Sequence, residues 1–187
     1  MAQRRRFLVG LGAKAPALRG RAWAGYSGDV PEVVQRFKFG GQRRLALPLA
    51  QRMAQLVDED LTDFDLLCAV PTHRVRYVQR GFNPGTLLAR SLAPSGTIPT
   101  RRVLARRPGS APQSQLGLEE RQEAPFGLFE VAAPRRFQVK GARILLIDDV
   151  CTTGATLAAS AQALYQASAD WVEALVFARS LKRGTSR

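Results

Sequence analysis

The chain has 187 residues and is expected to form one domain, large enough for a core of its own. Its hydrophobic content of 45% is ordinary for a globular protein, and no apolar run approaches the length of a membrane helix, so we expect no membrane partner. The net charge of +13, with 24 arginines among 28 basic residues, favours a polyanionic partner, although a composition bias would give the same charge.

The first third of the chain is predicted to hold a basic leader and two helices. Residues 1–22 combine basic residues with Gly, Ala and Pro, and we interpret them as an irregular leader. Apolar residues at helical spacing then predict helices at 30–39 and 45–57. Asp29 is the expected N-cap of the first helix, and Gly40-Gly41 is expected to end it.

The middle of the chain predicts a strand and a helix joined by a basic segment. The apolar run at 66–70 is typical of a buried strand, and Pro71 stops it. Residues 72–80 are polar and basic, and we expect a loop there. The next helix is expected at 81–92, with Asn83 as its N-cap and a proline in its first helical position.

The two cysteines, Cys68 and Cys151, are far apart and form no Cys-x-x-Cys pair. The sequence therefore gives no argument for a zinc site, and we expect no zinc. Cys68 lies in the apolar run at 66–70 and is interpreted as a buried core thiol. This use of cysteine fits a reducing cytoplasm, which is the predicted location.

The last third predicts a long loop followed by a strand–helix–strand unit. The loop covers about 106–128, lacks periodicity, and has a length that is usually functional. We expect a short strand at 103–104 and two short β-like pieces within 129–139. A strand at 143–147, a helix at 154–167 and a strand at 171–178 are expected to complete the unit. We therefore expect one α/β domain over 23–181 and a frayed tail over 182–187.

The most informative stretch runs from Ile144 to Thr156. Four apolar residues, typical of a central parallel strand, lead into Asp148 and Asp149. These carboxylates would lie at the carboxyl end of the strand, where open α/β sheets bind ligands. The Thr/Gly turn at 152–156 would present N–H groups and hydroxyls to a phosphate. The stretch therefore predicts a site for a ribose 5-phosphate; the alternative is a strand that ends in an acidic helix cap.

This stretch resembles the motif of type I phosphoribosyltransferases for phosphoribosyl pyrophosphate (PRPP). The resemblance implies that Asp148 and Asp149 bind the ribose hydroxyls and are catalytic. It also implies that the 5-phosphate is held by the loop residues Thr152, Thr153, Gly154, Ala155 and Thr156. Mg²⁺ would enter with PRPP and keep several waters, so Asp148 or Asp149 would contact it only through water.

Two further segments fit the same chemistry. The basic segment after Pro71 would stabilise charge on the departing pyrophosphate, and its candidate residues are Thr72, His73, Arg74 and Arg76. The segment at about 106–128 corresponds to the flexible hood that closes over the site in type I phosphoribosyltransferases and keeps water out. The alternatives are a solvated basic loop for the first segment and a plain surface loop for the second.

Taken together, the motifs resemble the ComF family of competence-associated phosphoribosyltransferase homologues. The matching positions are Tyr26, Lys38-Phe39-Gly40, Val70-Pro71, Arg80-Gly81-Phe82-Asn83, the hood residues Gln113, Gln115 and Arg121, and 148–156. The resemblance covers about residues 20–180 and implies a catalytic role for Arg121. The chain departs from the family pattern in lacking a four-cysteine ribbon and in having Pro84 for glutamine and Ala124 for asparagine.

The resemblance implies an α/β Rossmann-like type I phosphoribosyltransferase fold, with a mainly parallel sheet, helices on both faces and a hood. We expect an enzyme that binds PRPP and Mg²⁺ and transfers phosphoribose to a nitrogenous acceptor, with release of pyrophosphate, in the context of competence. One alternative is a non-catalytic protein that handles single-stranded DNA in natural transformation, with DNA and competence proteins as partners; the charge favours it. Another is a regulator that senses PRPP without turnover, which Ala124 favours.

Overall fold

The computed structural model describes residues 5–11, 17–57, 61–93, 98–107 and 127–180. Its strands are β1 (Arg5–Val9), β2 (Leu18–Gly25), β3 (Leu66–Ala69), β4 (Leu104–Arg106), β5 (Phe129–Val131), β6 (Arg143–Cys151) and β7 (Trp171–Arg179). Its α-helices are α1 (Val30–Phe39), α2 (Ala46–Ala54), α3 (Arg74–Arg80), α4 (Pro84–Leu92) and α5 (Ala155–Gln166), and short 3-10 turns lie at Arg43–Leu45, Leu61–Asp63 and Ala133–Gln138.

The central sheet has the strand order β1-β2-β7-β6-β3. Strands β2, β7, β6 and β3 are parallel to one another, and only the edge strand β1 is antiparallel to its neighbour. Strands β4 and β5 form a separate antiparallel pair. The prediction of a mainly parallel central sheet is therefore confirmed.

Strand β6 lies at the centre of the core because both of its faces are apolar. Ile144 and Leu146 pack into the cluster that contains α5 and the β4–β5 pair. Leu145 and Ile147 pack into the cluster on the other side, which contains α1, α2 and α4. All four side chains are fully buried. Helices cover both faces of the sheet, as predicted, and the carboxyl end of β6 is the position that this packing fixes best.

Helix α4 begins where its sequence predicts. Asn83 Oδ1 accepts a hydrogen bond from the N–H of Thr86 at 3.3 Å, and Pro84 occupies the first turn. Asn83 Nδ2 also donates to the carbonyl of Val70 at 2.9 Å, which ties the helix to the end of β3. A Cβ on Gly85 would come within 3.0 Å of the Ile147 carbonyl, so glycine lets α4 approach β6 closely.

The prediction of an irregular leader over 1–22 is wrong for two segments, because β1 and most of β2 lie within it. Residues alternate along β2, with Leu18, Gly20, Ala22 and Ala24 turned away from solvent more than their neighbours. Arg21 occupies one of the alternate, more exposed positions, and its side chain pairs with Glu173 of β7. Because the inward positions are mostly small rather than β-branched, the strand pattern is weak in the sequence.

The basic segment after Pro71 is also different from its prediction. Residues 74–80 form helix α3 rather than a loop. The helix begins after His73, whose Nδ1 accepts from the N–H of Val75 at 3.3 Å. It ends at Gly81, which has a left-handed φ of +73°. The helix is short and buries none of its residues, so it carries no amphipathic pattern that would predict it.

Three further predictions have mixed outcomes. Strand β5 confirms the first β-like piece after the long loop, but residues 133–138 form a 3-10 turn. Strand β6 runs beyond residue 147 to Cys151, because its pairing with β7 continues to Arg179. The buried Cys68 confirms the predicted core thiol. No helix in the described part of the chain is long and apolar enough to cross a bilayer.

The residues predicted to act in the hood lie outside the described part of the chain. Gln113, Gln115, Arg121 and Ala124 all belong to the stretch 108–126. The tail at 182–187 lies outside that part as well. The functions predicted for these segments stay predictions.

Candidate functional site

A cavity of about 280 Å³ opens at the carboxyl edge of the central sheet, and we call it the central cavity. It lies between the end of β6, the first turn of α5 and helix α3. Its lining residues come from five separate sequence segments: Tyr26, Lys38, Val70, Pro71, Thr72, His73, Arg76, Arg80, Pro84, Arg106, Asp148, Asp149, Val150, Thr152 and Thr156. The fold therefore brings together most of the motifs that the sequence singles out.

The two carboxylates at the end of β6 have different surroundings. Lys38 Nζ, in the last turn of α1, lies 2.9 Å from Asp149 Oδ1. Both side chains are largely buried, with exposed fractions of 20% for Lys38 and 9% for Asp149. Asp148 Oδ1 instead accepts from the backbone N–H of Asp149 at 2.9 Å. The lysine thus balances the charge of Asp149 directly, and both aspartates line the central cavity.

The pKa of Asp148 is raised to about 7, chiefly by burial and also by the charge of the neighbouring Asp149. The charges of Lys38 and Arg80 and the N–H bond from Asp149 act in the opposite sense. Burial and the neighbouring charge thus make the ionised form of Asp148 less favourable than that of an exposed aspartate. A ligand that donates hydrogen bonds to this carboxylate would favour its ionised form.

The Thr/Gly loop after β6 is held from two sides. Thr153 Oγ1 accepts from the N–H of Ala155 at 3.3 Å and so caps the first turn of α5. Gly154 has a left-handed φ of +89°, and a Cβ there would lie 2.8 Å from both Cγ atoms of Val9 in β1. Of the predicted phosphate-binding residues, Thr152 and Thr156 line the central cavity. Thr153, Gly154 and Ala155 shape the loop behind them.

The opposite wall of the central cavity is basic. Of the four residues predicted to bind pyrophosphate, Thr72, His73 and Arg76 line this cavity, whereas Arg74 lines a second cavity beside it. Arg80 joins this wall from the end of α3 and lies over the ring of Phe39, with Cζ 4.3 Å from the ring centroid. Its Nε is buried and has no hydrogen-bond partner in the described part of the protein. Burial lowers the pKa of the Arg80 guanidinium, and Asp149 opposes that change.

The Arg-Gly-Phe-Asn segment is mainly structural apart from its arginine. Gly81 ends α3, and a Cβ there would come within 2.9 Å of an Arg43 guanidinium nitrogen. Phe82 is buried and packs on Phe37, with ring centroids 6.0 Å apart. Asn83 caps α4 and bonds the end of β3. These three residues position the basic wall and do not line the central cavity.

Arg106 is a cavity residue that sequence reasoning does not find. It ends β4, and its guanidinium lies over Phe129 of β5, with Cζ 5.6 Å from the ring centroid. Burial lowers its pKa, and the charge of Arg76 lowers it further. In the sequence it is one arginine among many at the start of the long loop. Only the pairing of β4 with β5 brings it to the site.

Comparisons with known proteins agree with the motifs. No protein-family model matches the chain. The DNA utilization protein YhgH of Salmonella typhi is 29% identical over 162 residues, which are 83% of this chain and 70% of that protein. Competence protein F of Haemophilus influenzae is 32% identical over 132 residues, which are 67% of this chain and 57% of that protein.

Solved structures show partial likeness. The allosteric regulatory enzyme of purine biosynthesis aligns with a TM-score of 0.44 and 19% identity over 73% of this chain, which spans 25% of that chain. Purine phosphoribosyltransferase from Pyrococcus horikoshii aligns with a TM-score of 0.40 and 17% identity over 76% of this chain and 75% of that one. The resemblance to the ComF family that the motifs predict is confirmed by these curated relatives, a DNA utilization protein and a competence protein.

Proposed function

We propose that the protein binds PRPP with Mg²⁺ and transfers the phosphoribosyl group to a nitrogenous acceptor, with release of pyrophosphate. The observation that carries the proposal is the central cavity itself. One wall offers two carboxylates and a threonine loop, and the other offers cationic and hydroxyl groups. Such a pairing matches a ligand that has a polyol in its middle and phosphate groups at both ends.

In this arrangement Asp148 and Asp149 accept hydrogen bonds from the ribose hydroxyls. The 5-phosphate lies on the loop 152–156, where the first N–H groups of α5 have no partner within the helix. The pyrophosphate lies toward the basic wall. The buried Nε of Arg80 supports this orientation, because a buried donor without a partner is costly and a pyrophosphate oxygen would satisfy it.

Magnesium fits this site as part of the substrate. No group of three or more metal-ligating side chains lies together among the described residues, so the two carboxylates are the oxygen ligands on offer. Mg²⁺ prefers oxygen ligands, keeps several waters and is commonly held by one or two carboxylates with substrate phosphates. When bound, the ion would neutralise charge on the pyrophosphate, and Asp148 or Asp149 would face it through water.

The proposed reaction requires little acid–base catalysis by the protein. The lone pair of the acceptor nitrogen forms a bond to C1 of the ribose while the C1–O bond breaks, and that electron pair leaves with pyrophosphate. The acceptor nitrogen then loses a proton. Arg76 and Arg80 stabilise the charge that grows on the leaving group, and the carboxylates hold the ribose in line. The hood segment about 106–128 is proposed to exclude water from this step.

Calorimetric titration of PRPP·Mg²⁺ tests the proposal. Binding to the wild-type protein is expected at about micromolar affinity and is expected to be lost in Asp148→Asn/Asp149→Asn. Asp29→Asn/Asp170→Asn removes the same charge from exposed positions and serves as the control. Release of pyrophosphate with candidate acceptors then tests transfer. Absence of PRPP binding to the wild type would refute the proposal, and binding without any turnover would favour a PRPP-sensing regulator.

A second candidate function is the handling of single-stranded DNA on the same scaffold. It is supported by the names of the relatives, DNA utilization protein and competence protein F, and by the net charge of +13. Binding of this kind is dominated by phosphate contacts and should weaken steeply with salt. Fluorescence anisotropy of a labelled single strand between 50 and 200 mM salt, roughly the range in which such slopes are measured, tests it. A flat salt response would exclude it.

A further inference from the structure

A second and larger cavity adjoins the central cavity, and we call it the arginine groove. Its volume is about 640 Å³, and it shares Pro71, Thr72 and Arg106 with the central cavity. The two cavities are therefore neighbours at the same edge of the sheet. A ligand in the groove would lie beside the ligand of the central cavity rather than at a remote surface.

The groove is lined by a cluster of cations: Arg74, Arg101, Arg102, Arg106 and Arg135. No acidic side chain is among its described lining residues. Apart from Arg106, these arginines form no ion pair within the described part of the chain. Like charges held together in this way repel one another, and an anion would relieve that repulsion.

Backbone and side-chain hydrogen bonds fix the side of the groove that carries Arg101 and Arg102. Thr100 bridges to Leu67 of β3, and the N–H of Arg101 donates to the Leu67 carbonyl at 2.9 Å. Thr100 Oγ1 lies 3.4 Å from the Ala89 carbonyl of α4 and donates to it. The positions of Arg101 and Arg102 along the groove are thus set by the sheet and by α4, and both side chains remain exposed.

The groove also presents an aromatic ring. Tyr77 of α3 lines it and is 43% exposed, although large aromatic side chains usually bury their rings. An exposed ring beside arginines is the arrangement that stacks a nucleobase while cations bind its phosphate. A volume of 640 Å³ is within the range of pockets for small ligands and suits one nucleotide better than a free phosphate.

We propose that the arginine groove binds a nucleotide unit, a base with at least one phosphate, and that this unit is the acceptor of the phosphoribosyl group. The assignment as acceptor rests on the proposed function, because it requires PRPP in the central cavity. The arginines hold the phosphate, Tyr77 stacks the base, and a base nitrogen is turned toward C1 of the ribose. The attacking nitrogen is one that carries a hydrogen, such as the exocyclic amino group of the base; it bonds to C1 as the C1–O bond breaks and pyrophosphate departs, and its proton passes to solvent.

Binding of three probes without PRPP tests the groove directly: adenosine 5′-monophosphate, adenosine, and a short single-stranded oligonucleotide. The two phosphate-bearing probes are expected to bind, and adenosine at least about tenfold more weakly, since a charged phosphate contact is lost. Similar affinity for the mononucleotide and the oligonucleotide points to a free nucleotide, and binding of the oligonucleotide alone points to a strand. Both results uphold a nucleotide unit. Equal binding of adenosine, or no binding of either phosphate probe, would overturn the proposal.

Two double variants test whether the phosphate-bearing probes bind in the arginine groove. Arg101→Gln/Arg102→Gln is expected to weaken binding of the phosphate probe at least about tenfold, and to leave PRPP affinity unchanged. Arg44→Gln/Arg90→Gln removes the same charge from exposed positions outside both cavities and is the matched control. Equal losses in both double variants would mean a general charge effect and would overturn the site. Loss of PRPP binding in the groove variant would assign its arginines to pyrophosphate instead and would also overturn it.

Tyr77 gives an independent test in a protein of unchanged charge. Tyr77→Ala is expected to weaken binding of the mononucleotide about tenfold, and Tyr77→Phe is expected to restore it, because stacking needs only the ring. Unchanged binding in Tyr77→Ala would overturn the stacking role. If the mononucleotide binds and PRPP does not, the proposed function fails and the acceptor role with it, while the nucleotide site remains. If PRPP binds and the phosphate probes do not, only the groove proposal fails.

Discussion

Replacing Gly154 by alanine tests how firmly strand β1 holds the Thr/Gly loop. The substitution carries two separate costs. A left-handed φ of +89° costs an alanine about 1–2 kcal/mol. In addition, the new Cβ would lie 2.8 Å from both methyl groups of Val9, and overpacking of this kind costs about 1–3 kcal/mol. We therefore expect Gly154→Ala to lower the free energy of unfolding by about 2–5 kcal/mol.

A double-mutant cycle separates the two costs. Val9→Ala removes both methyl groups that the new Cβ would meet, at its own cost of about 1–2 kcal/mol of lost burial. In the double variant the steric cost of Gly154→Ala disappears and the backbone cost remains. The coupling between the two substitutions is therefore expected to be favourable by about 1–3 kcal/mol, measured from urea unfolding of the four proteins.

Gly141→Ala is the matched control for this cycle. Gly141 also has a left-handed φ, of +70°, but a Cβ there meets nothing within 4 Å. The substitution Gly141→Ala should therefore lower the free energy of unfolding only by the backbone strain, about 1–2 kcal/mol, and should show no coupling to Val9→Ala. If Gly154→Ala and Val9→Ala were additive within about 0.5 kcal/mol, the loop would not depend on β1, and the reasoning from this contact would be refuted.

Three predictions concern the carboxylates. Asp149→Asn should lower turnover by about 10²–10³-fold at saturating PRPP, and unchanged kinetics would contradict its role. Lys38→Met should raise the pKa of Asp148 further and lower the free energy of unfolding by about 1–3 kcal/mol; an unchanged urea midpoint would count against the ion pair. Because burial raises the pKa of Asp148 from about 4 to about 7, the folded protein holds the extra proton, and stability should fall as pH rises between these values. Asp148→Asn should lose that slope, and an unaltered pH profile of unfolding would contradict the assignment.

Local signals in the sequence predict the central strand and the start of α4 well. The apolar run at 144–147 has four residues, which is too short for a helix. It therefore predicts a strand that is buried on both faces. Asn83 and the proline after it specify a helix start through their own hydrogen bond and fixed φ, and the structure places the start of α4 there. Features of this kind depend on neighbours within a few residues.

The remaining features depend on contacts between distant segments. Strand β2 exists because β7 pairs with it across about 150 residues, and its own small side chains give little strand preference. Arg106 reaches the central cavity only because β4 pairs with β5. The arginine groove likewise gathers arginines from α3, the segment before β4 and the 3-10 turn. A sequence with 24 arginines does not indicate which of them will meet.

The two walls of the central cavity differ in how they are anchored. The wall that carries the two carboxylates belongs to β6, whose residues at 144–147 have no exposed surface, so the amides of this strand should exchange slowly with solvent. Helix α3 forms the opposite wall and buries none of its residues, and Val75 and Val78 are exposed by 54% and 73%. Its local unfolding therefore costs little, and its amides should exchange with solvent far faster than those of β6. In the proposed reaction, motion of the site would therefore be concentrated in the basic wall, which would give the bulky leaving group a way out while the sugar stays in place.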